Sequence, residues 1–222
     1  MVHFLDLPLE IRREVYSYLL VIPDYSKFVG HSISGRRLSA GTGILATCRQ
    51  INAEAEPVLY GSNLFLADQR RLTKLARLRA WSRPFSLPDK LALIRRWWLS
   101  VPHEMNERVP PHLYLSVKQC DWWYGPEDAR AAFTGVEELV LELLYYGPYY
   151  PPRLDSLRRF ERVRGVKVVR IVNCPEELEG YCGWLKRAMT SPVGSEVQPY
   201  IDNAQAQWDT SAADQGPIEF IP

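Results

Sequence analysis

From Leu7 to Ile22 the apolar residues fall three or four positions apart. Ile11, Val15, Tyr18, Leu19 and Ile22 form one stripe, while Glu10, Arg12, Arg13, Glu14 and Ser17 fill the other side. The spacing predicts an amphipathic helix over 7–20. Pro8 opens it with a fixed φ suited to the first helical position, Glu10 complements the dipole in the first turn, and Pro23 ends it. Residues 24–43, with Gly30, Gly35, Gly41, Gly43 and several serines, lack periodicity and read as a loop. Helical spacing resumes with Ile44, Leu45, Cys48, Ile51, Ala55, Val58 and Leu59. Pro57 is expected to split that run and Gly61 to end it.

Beyond residue 62 the period changes. Asn63 to Ala67 reads as a short strand and Gln69 to Trp81 as a helix that turns Leu72, Leu75, Ala76 and Leu78 inward. In Ile94 to Val101, Trp97, Leu99 and Val101 alternate with Arg96, Trp98 and Ser100, the period of a strand with one tryptophan on each face. Val136 to Leu144 and Val166 to Val172 repeat that signal. Glu127 to Phe133, Leu154 to Arg162 and Glu176 to Met189 are predicted helices. Such alternation builds a parallel sheet with covering helices. The strand starts lie 31, 42 and 30 residues apart, wider than the roughly 20–29 of a regular leucine-rich repeat. The expected fold class is therefore α+β or α/β: a helical module over 1–62, including the loop 23–43, then an irregular leucine-rich-repeat-like layer over 63–189. A compact α/β sandwich is the alternative. Residues 190–222, rich in Ser, Ala, Gln, Asp and Pro, are expected to form an acidic, disordered tail.

Composition narrows the function classes. A chain of 222 residues that is 46% hydrophobic and 12% aromatic can build its own core. Its net charge of +1 hides an asymmetry, because residues 190–222 hold five acids and no Lys or Arg. Cys48, Cys120, Cys174 and Cys182 form no C-x-x-C pair and have no histidine at zinc spacing, so free thiols are expected and no metal or cofactor. The N-terminal residues carry no basic n-region and no apolar run approaches a membrane span. An intracellular location, cytoplasmic or nuclear, without membrane contact is the expectation.

No catalytic constellation stands out. Gly30-His31-Ser32-Ile33-Ser34-Gly35 places its second glycine one residue late for a nucleophile elbow and follows no strand. His103-Glu104-Met105-Asn106-Glu107 lacks a second histidine, and no phosphate-cradling glycine loop occurs. The acids Glu137 and Glu138 are expected at a strand start, facing solvent. Between Arg70 and Arg96 nine basic residues stand against Asp89 alone, a run that fits a solvated face better than a nucleic-acid site. The aromatic runs Trp122-Trp123-Tyr124 and Tyr145-Tyr146-Gly147-Pro148-Tyr149-Tyr150 lie in turn-forming segments. Tyr and Trp give contact area at low entropic cost, so Trp122, Trp123, Tyr124, Tyr145, Tyr146, Tyr149 and Tyr150 are candidates for capturing a protein substrate, with capping of the core as the alternative.

The order Leu7-Pro8-x-Glu10-Ile11, with Val15 and Leu19, resembles the opening of the F-box. The run Ile44-Leu45-x-Thr47-Cys48-Arg49-Gln50-Ile51-x-x-Glu54-Ala55, followed by Leu59-Tyr60-Gly61-Ser62-Asn63-x-Phe65, resembles the second half of a large fungal F-box-like family, some of whose members carry paired E-x-R motifs. Glu10-Ile11-Arg12 matches the first such motif, and Gln50-Ile51-Asn52 stands where the second would fall. The resemblance spans about the first third of the chain and departs from the family in the long segment 23–43. It implies a non-enzymatic adaptor that binds a Skp1-like protein through Leu7, Pro8, Ile11, Val15 and Leu19 in a ubiquitin ligase. Two other readings stay open: an interaction scaffold without Skp1 contact, and nucleic-acid binding through residues 70–96.

Overall fold

The structure, a computed structural model, describes residues 3–22, 41–68, 72–78, 88–102, 124–144 and 154–201. Helices α1 (Leu9–Leu20) and α2 (Arg49–Ser62) pack as a pair, each preceded by a 3-10 turn, Phe4–Asp6 and Thr42–Ala46. The chain then enters β1 (Leu64–Asp68) and β2 (Leu72–Arg77), passes the short α3 (Pro88–Leu91) and reaches β3 (Arg96–Pro102). Next come α4 (Pro126–Phe133), β4 (Glu138–Leu144), α5 (Asp155–Arg158), β5 (Val168–Val172), a 3-10 turn at Glu176–Leu178 and α6 (Glu179–Thr190). The strands form an open mixed sheet in the order β2-β1-β3-β4-β5, parallel throughout except for β2, which runs antiparallel on the edge. The fold is α+β.

Period-two alternation sorts the strand residues onto two faces. Phe65, Trp97, Leu99, Val101, Leu139, Leu141 and Ile171 meet Ala129 and Phe133 of α4, Leu157 and Phe160 around α5, and Tyr181, Leu185 and Met189 of α6. Each such large side chain contributes about 1.5–3 kcal/mol on burial. Rings connect across this core. Tyr60 of α2 stacks on Phe65 at 5.7 Å, and Phe65, Trp97, Phe133, Phe160 and Tyr124 continue the chain with centroids 6.1–6.5 Å apart. The helical pair and the sheet are thereby packed on one another, not merely tethered. As the alternation predicts, Trp98 points the other way and is buried with Leu64, Val140 and the half-buried Ile22.

Three elements differ from the sequence reading. Residues 72–77 are an edge strand, not part of a helix over 69–81. Its pairing with β1 shifts between Leu66↔Arg77 and Asp68↔Leu72, and its buried residues Leu72 and Ala76 are four apart, a separation that a strand face and a helix face share. The strand therefore carries helical spacing, and pairing with β1 overrides it. Pro57 does not split the second helix, since α2 runs unbroken through it. Pro57 and Ala53, whose carbonyl loses its intrahelical donor there, are both exposed, so the freed carbonyl is on the solvent side of the helix. Glu138 does not face solvent. It lies buried between Arg96, whose Nε donates to it at 2.7 Å, and Arg170 at 2.9 Å.

The expected tail does not begin at 190. Trp184 Nε1 donates to the Gln198 carbonyl at 3.0 Å, and Tyr200 meets Tyr181 edge-on at 5.2 Å, so residues 191–200 are packed back on α6. Gly165, at φ +71°, lies under this strap, and a Cβ there would stand 2.6 Å from a methyl of Val193. Residues 202–222 lie outside the described residues.

The joint between helices and sheet is Asn63, only 1% exposed. Its Oδ1 accepts from the Ile22 amide at 2.8 Å, and its Nδ2 donates to the carbonyls of Leu20 at 2.9 Å and Leu59 at 2.8 Å. One side chain thus satisfies groups at the ends of both helices. Asn63→Ala would leave those groups without partners, and we expect a loss of roughly 3 kcal/mol. Urea unfolding checks this, with the midpoint falling and the m-value unchanged.

Candidate protein-interaction surface

Helix α1 carries two apolar surfaces. Arg12, Tyr16 and Leu20, four residues apart, are buried against Ile51, Ala55 and Leu59 of α2. The stripe picked out by hydrophobic spacing stands about a third of a turn away. On it Ile11 is 44% and Tyr18 88% exposed, Leu7, Val15 and Leu19 are half-buried, and Pro8 is exposed at the N-cap, one residue before the helix begins. The five residues expected to bind a Skp1-like partner thus share one end and one flank of α1. Leu19 already leans toward the α1–α2 core.

Arg12 sets this rotation. Read from the sequence as part of the polar side, it is instead buried. Its Nε and Nη2 donate to the two carboxylate oxygens of Glu54 at 2.9 and 2.7 Å, and Nη1 donates to the carbonyls of Leu5, at 3.2 Å, and Leu7. Tyr16 also donates to Glu54, at 2.9 Å, and Gln50 does so at 3.0 Å. Such a bidentate pair is directional, so it fixes the face that α1 turns to α2 and holds the Leu5–Leu7 segment beside it. Ile11, next to Arg12, is left outward. The only sequence clue was the pairing of an arginine and a tyrosine on one helix with Glu54 on the other, which hydrophobic spacing does not register.

The aromatic candidates divide. Tyr124 is buried, edge-on to Phe160 at 6.1 Å, with the Arg159 guanidinium 5.6 Å from its ring centre. Burial pushes its hydroxyl up to about 12. It is a core residue at the start of α4. Trp122, Trp123, Tyr145, Tyr146, Tyr149 and Tyr150 lie outside the described residues, as do the two segments considered for catalysis. In the basic stretch, Lys90 pairs with Glu56, and Arg96 bridges Glu138 and, at 2.6 Å, the Ser62 carbonyl. Both cations serve the fold. Lys74 and Arg95 are exposed, and Arg70, Arg71, Arg79 and Arg83 lie outside the described residues.

On the sheet face opposite the main core, a second buried carboxylate was not foreseen. Glu142 accepts from Trp98 Nε1 at 3.1 Å and from Ser100 Oγ at 2.8 Å on the neighbouring strand. Among the described residues no group of three or more His, Cys, Asp and Glu side chains is placed to hold a metal ion. Nor is any helix there long and apolar enough to cross a membrane. Comparison with known proteins finds no matching family model, no matching curated protein and no matching solved structure.

The Arg12 network makes a pH prediction. Its hydrogen bonds, led by those of Arg12 and then Gln50, hold the Glu54 carboxyl at about 2 instead of 4.5. A depressed carboxyl contributes stability that is present above its unfolded value and lost as pH falls toward the folded value. Glu54→Gln should therefore melt below wild type at pH 7, and the gap should narrow between pH 4.5 and about 2. Thermal melts of the two chains across that range provide the check.

Proposed function

We propose that this chain is a non-enzymatic adaptor. A Skp1-like protein covers the outward stripe of α1, around Leu7, Pro8, Ile11, Val15 and Leu19, and the sheet layer presents a protein substrate for ubiquitin transfer. The observation that carries the reading is the exposure of Ile11 and Tyr18 on a helix whose other face is already packed on α2. Apolar side chains aligned along one exposed flank favour a protein partner, and tyrosine is a frequent anchor in such contacts. The resemblance of residues 7–19 and 44–65 to the F-box supplies the partner class. In this reading the aromatic runs at 122–124 and 145–150 bear on substrate capture, with Tyr124 acting from within the core. The chain works inside the cell, in the cytoplasm or nucleus.

A second reading is favoured by the closed Arg12–Glu54–Tyr16 network, which completes the helical pair without any partner. In it the chain is an interaction scaffold that never meets Skp1.

Ile11→Asp separates the two. The site is open enough that stability should change by no more than about 0.5 kcal/mol. Capture of a purified Skp1-like protein should weaken by about 2 kcal/mol or more, close to thirtyfold. Isothermal titration with wild type and variant measures this. A wild-type chain that is folded and monomeric yet fails to bind at micromolar concentration would overturn the adaptor reading and leave the scaffold.

A further inference from the structure

Two thiols stand against each other at the start of α6. Asn173, at φ +58°, turns the chain out of β5, and the 3-10 turn at Glu176–Leu178 leads it into the helix. The half-buried Cys174 and the buried Cys182 are brought together by this path, with Sγ atoms 2.8 Å apart, closer than two non-bonded sulfurs ordinarily approach. A bond between them needs about 2.05 Å, so a small side-chain movement closes it. The surroundings are packed on both sides. Tyr181 is anchored by its hydroxyl, which donates to Glu161 at 2.7 Å, and Val169 and Ile171 hold the end of β5 against the core.

We infer that Cys174 and Cys182 form a reversible dithiol–disulfide site that exchanges with a low-molecular-weight disulfide such as oxidised glutathione. The inference is independent of the adaptor reading. Cys174 is the more accessible sulfur and reacts first. Its thiolate attacks one sulfur of oxidised glutathione, a mixed disulfide forms and one glutathione thiolate leaves. Cys182 then gives up its proton and attacks the Cys174 sulfur, expelling the second glutathione. Two protein S–H bonds are replaced by one S–S bond, and the two electrons and two protons end on two glutathione thiols. Burial, together with the neighbouring Cys174 thiol, pushes the Cys182 thiol up to about 12, so Cys182 rests protonated and loses its proton only as it attacks. Oxidation would staple the β5–α6 connection to the first turns of α6.

Both cysteines fall in a single tryptic peptide, because Arg170 and Lys186 bracket residues 171–186 with no Lys or Arg between them. The full wild-type chain is equilibrated in glutathione buffers of rising oxidised fraction, acid-quenched, alkylated and digested. The expected product is that peptide lighter by two hydrogens and closed to alkylation at both cysteines. It should exceed the glutathione adduct at Cys174 by about tenfold or more, since Cys182 is present at high effective concentration. Dithiothreitol should restore both thiols. Cys182→Ser should instead accumulate the Cys174 adduct. A wild-type chain that keeps the Cys174 adduct with Cys182 still alkylatable would overturn the inference. So would two thiols that persist in buffers converting the exposed Cys48, or cross-links from either cysteine to Cys48 or Cys120.

Discussion

The amide of Asn63 stands where three segments must meet, and its geometry constrains all of them. Its three bonds reach the backbone of Leu20 and Ile22 on one side and of Leu59 on the other. An amide has one acceptor and two donors in a fixed plane, so satisfying all three fixes the angle between the exits of α1 and α2. β1 starts at the next residue. The direction of the first strand is therefore tied to the helical pair, and the parallel register of β3 on β1, then of β4 and β5, propagates from it. Arg96 reinforces the joint by donating to the Ser62 carbonyl at the C-terminus of α2 while its other nitrogens hold Glu138. A cation at that helix end is favoured by the dipole.

The two sheet faces solve different problems. The face under α4 and α6 buries hydrocarbon and rings, and its energy comes from area and ring contacts. On the other face, β3 and β4 carry Arg96, Trp98 and Ser100 beside Glu138, Val140 and Glu142 in register. A buried carboxylate is costly unless fully partnered. Here the register supplies partners from the adjacent strand, with Arg96 directly across from Glu138 and Ser100 directly across from Glu142. A slip of one residue would separate both pairs and turn Trp97 out of the core. The polar pairs thus specify register, whereas the apolar face supplies most of the stabilisation.

Much of this was legible in the sequence because strands buried on one face repeat every second residue. β1, β3, β4 and β5 lie within a few residues of their predicted places, and Trp97 and Trp98 point to opposite faces as the alternation requires. β2 was not legible, since an irregular edge strand carries the spacing of a helix and only its pairing with β1 reveals it. The roles of Arg12, Glu138 and Glu142 were hidden for another reason. Hydrophobic periodicity counts a charged side chain as outward, yet a charge with a well-placed partner is stable inside. That partner lies about forty residues away in each of these cases. At the candidate surface the hydrophobic spacing aligns Ile11, Val15, Tyr18 and Leu19 on one flank of α1 but does not tell which way that flank turns. The side that faces α2 is chosen by Arg12 and Tyr16.

That choice bears directly on the proposed function. If α1 had buried Ile11 and Val15 against α2, Arg12 would turn toward water together with Tyr16 and Leu20, and Ile11 would be closed to a partner. The bidentate bond to Glu54 rotates the helix the other way, so the intramolecular core is completed by Tyr16 and Leu20 and the remaining apolar residues stay on the surface. A folded module with an unused apolar flank can bind a second protein without rearranging, so association bears little ordering cost beyond that of immobilising Tyr18 and its neighbours. In the proposed adaptor the same arrangement would keep recognition separate from folding. Residues of the outward stripe can change to suit a partner while Arg12, Tyr16, Glu54 and Asn63 maintain the helical pair and its seat on the sheet.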